Sequence, residues 1–331
     1  MTAGLAGYAS PAWSVYFTMS LWYLAHLMRA FEVARRGGPR QRVIRTENTA
    51  ARTMGDAAIR DAEAGPLLRV AVDTHVHLHP MFDRTRFLRA ALANARAVAV
   101  ESGARAHGTV WLLLTEIAGV HGFRELAESP PDGWRAIPRA ERRTIELVED
   151  DGARVLVTAG RQVQVEGGLE LLVLGSDADI PDGIDIAEGL ARAAAAGALP
   201  VIPWGFGKWW GRRGRRLTAL LDSPQGDAIF LGDNAGRARV WPRPAPFARV
   251  AATGRRVLPG SDPLPFPGQV NRIASYGLLV TMDIESEAPF ADLRALLLDS
   301  NVSLPTYGRR AGALTFIRDQ IAMQIVKRRC E

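Results

Sequence analysis

The chain has 331 residues, 47% of them hydrophobic and 23% charged, with a single cysteine. That length suffices for one large α/β domain or two ordinary ones, and one cysteine excludes an intrachain disulfide framework or a cysteine-built metal site. The formal charge is +6, yet residues 1–53 hold seven arginines against Glu32 and Glu47, so the body of the chain is close to neutral and lacks the charge of a nucleic-acid binder.

Residues 12–28, AWSVYFTMSLWYLAHLM, form a charge-free run of 17 followed by an arginine-rich stretch. As a membrane anchor the run is short, and the arginines behind it would keep the following domain on the cytoplasmic side. No positive region precedes it, as a signal peptide would require. Met54 opens MGDAAIRDAEAG, which reads as an ordinary start. The favoured expectation is that residues 1–53 are an extension outside the native frame, with a membrane anchor as the rival. The chemistry is therefore expected in residues 54–331.

Residues 69–76, RVAVDTHV, read as a buried strand of β-branched residues. Residues 84–102 suit a helix capped by Asp83. TVWLLLTE at 109–116 is a buried strand, and GFRELAES at 122–129 a short helix stopped by Pro130 and Pro131. TIELV, ARVLVTAGRQVQV and LELLVLG, separated by DDG and EGG turns, predict a meander of hairpins. Helices at 184–198, 215–223 and 244–254 then alternate with strands at 199–204, 228–234 and 255–262. A last strand is expected at 274–283, with helices near 288–298 and 309–328. Such alternation predicts a mostly parallel sheet. Polar residues recur at strand ends, and in a closed (β/α) barrel those ends would converge on one face.

VDTHVHLHP carries three of the chain's six histidines at every second position. Side chains two apart on a strand share a face, so His75, His77 and, further on, His79 project together with Asp73. Imidazole is the commonest metal ligand, and two on one face make half a site. A second candidate lies in WGFGKWWGRRGRR, residues 204–216, which follows a strand and should reach the same face. Its Lys208, Arg212 and Arg213 suit a phosphate or carboxylate. The alternative is a solvated basic turn whose Trp209 and Trp210 pack against a neighbour.

DTHVHL resembles the first-strand H-x-H motif shared by the amidohydrolases and the PHP (polymerase and histidinol phosphatase) superfamily. The later order resembles PHP more closely: WLLLTEIAGVHGFREL, VTAGRQVQVEGGLELLVLG, ALPVIPWGFG, IFLGDNAG and LPGSDPLP follow the family's sequence of motifs over roughly residues 68–280. The resemblance implies a distorted TIM-like (β/α) barrel with its site at the C-terminal ends of the strands. It implies metal ligands at His75, His77 and Asp262, with Glu116 where the family has an aspartate; Asn234 matches the family's strand ending in an acidic residue and Asn, and as a polar group at a strand end it either contacts substrate or satisfies the backbone there. Ile117, Gln162, Trp204 and Leu264 stand where the family places further ligands, so a trinuclear cluster is not expected. A single divalent cation (Zn, Mn or Fe) per chain fits what remains.

The expected activity is metal-dependent hydrolysis of a small anionic molecule, a phosphoester first. Asp262, Glu116 and His121 are the catalytic candidates, and Lys208, Arg212, Arg213 and Asn234 the substrate-binding ones. Two rivals stand beside this reading. One is an amidohydrolase-like enzyme cutting a C–N bond. The other is a PHP-like module that has lost catalysis and binds or regulates, as the changed ligand positions suggest.

Overall fold

The computed structural model describes residues 68–101 and 109–330. The expectations for residues 12–28, for Met54 and for residues 1–53 as a whole lie outside the described residues. Among the described residues, no helix is long and apolar enough to cross a membrane.

Two sheets carry the domain. The first has seven strands: β1 (Leu68–Val76), β2 (Val110–Leu114), β3 (Trp134–Pro138), β4 (Thr144–Glu149), β5 (Arg154–Thr158), β11 (Tyr276–Met282) and β12 (Thr306–Gly308). Their order is β12-β11-β1-β2-β5-β4-β3. The second has five: β6 (Gly160–Gln164), β7 (Glu170–Leu174), β8 (Leu199–Pro203), β9 (Phe230–Asn234) and β10 (Val257–Gly260), in the order β10-β9-β8-β7-β6.

The expected closed barrel is not what forms. The seven-stranded and five-stranded sheets are separate and unclosed, so the architecture is mixed α/β. The physical cause is local. In the first sheet β3 and β4 return as antiparallel hairpins on β5, and β11 and β12 add antiparallel strands beside β1, so the sheet grows sideways instead of closing. Where the sheets meet, only isolated bonds cross. Glu116 N–H donates to Gly160 O at 3.0 Å and Gln162 N–H to Glu116 O at 2.8 Å, and Asp262 N–H donates to His75 O at 2.8 Å. The mostly parallel expectation is corrected too. Parallel pairs join β1 to β2, β2 to β5, β8 to β9 and β9 to β10, while the remaining six pairings are antiparallel.

The run ARVLVTAGRQVQV, read as one strand, is two. Its first half is β5 in one sheet and its second half β6 in the other, with Ala159 between. Gly160 makes the crossing feasible, because a Cβ there would lie 2.1 Å from Leu114 O. Any side chain would push the chain off the end of β2. The short strands β3 and β12 carry too little periodicity to be read from sequence.

The elements form because their residues alternate correctly between two apolar environments. Val70 and Val72 of β1, Trp111 and Leu113 of β2, Leu172 and Leu174 of β7, and Leu199 and Val201 of β8 share one buried cluster with Leu278 and Val280 of β11. Their neighbours face outward. Leu112 and Leu114 pack with Phe87, Leu88 and Leu92 of α1 (Arg84–Glu101). Leu171, Val173, Ile202 and Leu231 pack with Leu190 of α3 (Ile186–Ala195), Leu217 of α4 (Gly211–Asp222) and Phe247 of α5 (Ala245–Ala252). Strands buried on both faces read as continuous apolar runs, as they do here. Asp83 caps α1 as expected, accepting from Arg86 N–H at 2.8 Å, and Asp185 caps α3 from Ala187 N–H at 2.8 Å.

Candidate metal centre

His75 stands near the end of β1, and His77 follows just beyond it. Their Nε2 atoms lie 3.1 Å apart, and each is 3.5 Å from Asp262 Oδ1. A tetrahedral cation with ligands at about 2.0–2.1 Å has ligand–ligand edges of about 3.4 Å, so the three atoms already form one face of such a polyhedron. Both imidazoles are buried, whereas the Asp262 side chain keeps 21% of its exposure. The opening is therefore on the carboxylate side.

Asp262 reaches the histidines because of the residues before it. A Cβ on Gly260 would lie 2.4 Å from His75 Cβ and 2.5 Å from His75 N, so β10 can approach β1 only with glycine there. Ser261 N–H then donates to Asp73 Oδ1 at 2.8 Å. Asp262 itself takes a left-handed backbone, with φ of +45°. Aspartate tolerates that region better than most residues, and such conformations gather at functional sites. Its second oxygen is spoken for: Asn234 Nδ2 donates to Asp262 Oδ2 at 2.8 Å and to Trp204 O at 2.9 Å. Asn234 Oδ1 accepts from Arg237 N–H at 3.0 Å, which fixes the amide's orientation. Asn234 thus leaves Asp262 Oδ1 facing the imidazoles, the arrangement an outer hydrogen-bonding partner gives a metal ligand.

The electrostatics suit a cation. Burial holds the His77 imidazole well below its ordinary pKa, and the charges of His75, His79 and Lys208 add to that effect. A neutral ring keeps the lone pair that coordination requires. The residues present therefore fit a divalent cation: two imidazoles, one carboxylate and open positions.

Asp73 lies on the same side but serves as a brace. It accepts from Ser261 N–H, from His75 N–H at 3.2 Å and from Ala274 N–H at 2.9 Å. Burial pushes its carboxyl up to about 7 against those bonds. His79 is not in the ligand cluster: its ring stacks on His77 at 5.2 Å and stands edge-on to Phe82, and its Nε2 lies 2.9 Å from Pro263 O.

Glu116 is not in the cluster with His75, His77 and Asp262. One oxygen accepts from Phe123 N–H at 2.7 Å at the start of α2 (Gly122–Glu128), and the other lies 3.3 Å from Arg161 Nη1. Burial, only partly offset by these partners, raises its carboxyl to about 7. His121 occupies the N-cap of α2, makes no side-chain capping bond and is also outside the cluster. Asn234, expected on the substrate, is hydrogen-bonded to Asp262. Trp204, where the resemblance places a ligand, packs into the helix-facing core and offers only its carbonyl.

The basic loop divides. Arg213 Nη2 donates to Gly207 O at 3.0 Å and its Nη1 to Gly168 O at 3.3 Å, so this residue holds loops together. Arg212 is exposed on α4. Trp209 packs edge-on to Phe247, and Trp210 stacks on Trp241. Packing thus accounts for the tryptophans. Lys208 is different: its Nζ is paired with Glu170 Oε1. Burial opposes ionisation of Glu170, but Lys208 outweighs it and His75 adds to the lowering. Lys208 and Glu170 therefore act electrostatically on the two histidines. Glu170 went unread in the sequence. Its only signal is one acidic residue opening the otherwise apolar strand ELLVL.

No protein family matches the chain, and no curated protein does. Among solved structures, the crystal structure of PsfC from Pseudomonas syringae PB-5123 is similar at 15% identity and a TM-score of 0.43, covering 80% of this chain and 99% of that one.

Proposed function

We propose that this chain is a metal-dependent hydrolase in which His75, His77 and Asp262 hold one divalent cation and the substrate is a small anionic molecule, first of all a phosphoester. The observation that carries the reading is the triangle of His75 Nε2, His77 Nε2 and Asp262 Oδ1, with edges of 3.1 and 3.5 Å. Two imidazoles and one carboxylate suit Zn, Mn or Fe. A bound divalent cation supplies positive charge that acidifies water and polarises a substrate oxygen. The chain's own residues do the rest. His75 and His77 present lone pairs from a buried strand end. Asn234 holds Asp262 Oδ2, so Oδ1 stays turned to the imidazoles. The exposed side of Asp262 leaves a route for substrate, and Lys208 contributes positive charge beside the site while Glu170 restrains it.

The resemblance to the PHP superfamily supports phosphoester over amide bonds. The test is elemental analysis of purified protein beside the His75→Ala/His77→Ala double variant, followed by a panel of phosphate monoesters and amides. About one Zn, Mn or Fe per chain, lost in the variant, with metal-dependent release of phosphate, is the expected result. No metal after reconstitution would overturn it and leave a binding module. Amide cleavage without phosphate release would move the activity to the amidohydrolase type.

A further inference from the structure

A pocket of about 420 Å³ opens where β10 meets β11 and β12. It lies on the opposite side of β9 from the metal centre. Asp233 and Asn234 are consecutive on β9, so their side chains point to opposite faces. Asn234 turns to Asp262, and Asp233 turns into this pocket.

Four arginines line the pocket against one carboxylate. Arg237 is already neutralised, because its Nε and Nη2 grip Asp233 at 2.6 and 2.7 Å. Tyr276 Oη donates to the same carboxylate at 3.2 Å. Arg256 donates to the carbonyls of Leu297, Asp299 and Val302, and the Asp299 carboxylate beside it offsets part of its charge. The other two keep their charge. Arg243 is exposed at the pocket. Arg310 carries the decisive atom: its Nη1 is shielded from solvent with no hydrogen-bond partner. A buried guanidinium N–H left unpaired is costly, and an oxyanion is the partner that suits its planar fork. The remaining wall is apolar, from Phe247, Leu278 and Leu304.

We infer that this pocket binds a small phosphomonoester or phosphonate dianion with a short apolar body, its oxygens on Arg310 and Arg243 and its carbon chain against Leu278 and Leu304. Two uncompensated positive charges, on Arg243 and Arg310, favour a dianion over a carboxylate. A volume of this size lies within the usual range for small-molecule sites. The site is independent of the hydrolytic centre, so it would hold an effector or second anion and not the bond that is cleaved.

The test is calorimetric titration of the full chain, freed of metal by chelation, with n-butylphosphonate, inorganic phosphate and n-pentanoate. Three variants accompany it: Arg310→Met, Arg243→Met and His75→Ala/His77→Ala. The expected result is one site for n-butylphosphonate on the metal-free chain, weakened about tenfold or more by Arg310→Met, in keeping with loss of a charge-assisted bond. Arg243→Met should weaken it as well, and this exposed position keeps the test open should Arg310→Met fail to fold. The histidine variant should leave binding unchanged. Loss of binding in the histidine variant would assign the anion to the metal centre and overturn the proposal. So would unchanged binding in both arginine variants, or no binding of any probe. Equal affinity for n-pentanoate would refute the dianion preference, and equal affinity for inorganic phosphate would refute the apolar subsite.

Discussion

Asn234→Ala tests whether the metal centre is held from outside the ligand set. The substitution removes three hydrogen bonds at once: to Asp262 Oδ2 at 2.8 Å, to Trp204 O at 2.9 Å and from Arg237 N–H at 3.0 Å. Asp262 would then rotate freely about its side-chain bonds, and Oδ1 would lose its fixed distance from the imidazoles. Losing an outer hydrogen-bonding partner typically weakens metal binding about 10–100-fold. That corresponds to about 1.4–2.7 kcal/mol. Stability should fall separately, by about 1–3 kcal/mol, because Trp204 O is left unpaired in a buried setting, while Arg237 N–H keeps its bond to the Asn234 carbonyl at 3.1 Å. The two effects are separable. Zinc affinity is measured by competition with a chromophoric chelator, and stability by urea denaturation of the metal-free protein. A variant with a lowered urea midpoint but a zinc Kd within about twofold of the parent would refute the positioning role and reduce Asn234 to a loop brace.

Three further outcomes are expected. Gly260→Ala should part β10 from β1, since its Cβ would fall 2.4 Å from His75 Cβ, costing about 1–3 kcal/mol or more in urea unfolding together with metal binding; wild-type behaviour in both assays would contradict the close approach. Glu116 ionises near 4.5 in an unfolded chain but near 7 when folded, so the folded state binds its proton more tightly. Its contribution is therefore fully present below about pH 4.5 and is lost as pH rises towards 7, by up to about 3 kcal/mol, and Glu116→Gln should flatten that part of the stability–pH curve. Zinc at about 100 times its Kd should stabilise the protein by about 2.7 kcal/mol in thermal unfolding, with no such gain in His75→Ala/His77→Ala; an equal gain in the variant would place the ion elsewhere.

Much of the candidate centre is legible in the chain because it is local. The alternation of His75 and His77 on a β-branched strand places both rings on one face, whatever the rest of the fold does. Asp262 joined the histidines in that reading through a resemblance, and the contact itself is a tertiary fact across 187 positions.

What the sequence by itself determined is the set of strands and helices with strong periodicity, the cap at Asp83, and the pair of imidazoles at the end of β1. Only the tertiary structure decided how the strands assort. The break at Ala159 depends on Gly160 passing over Leu114 O, and nothing in the run ARVLVTAGRQVQV marks it. The hairpins β3–β4–β5 widen one sheet where alternation alone suggested closure. Side-chain roles followed from that assortment. Asn234 became a support for Asp262, Glu116 a brace between Phe123 and Arg161, and Arg213 a loop clasp. Local pattern specifies which face a residue occupies. Which partner waits on that face is set by packing between distant segments, and packing is decided only when the whole chain has folded.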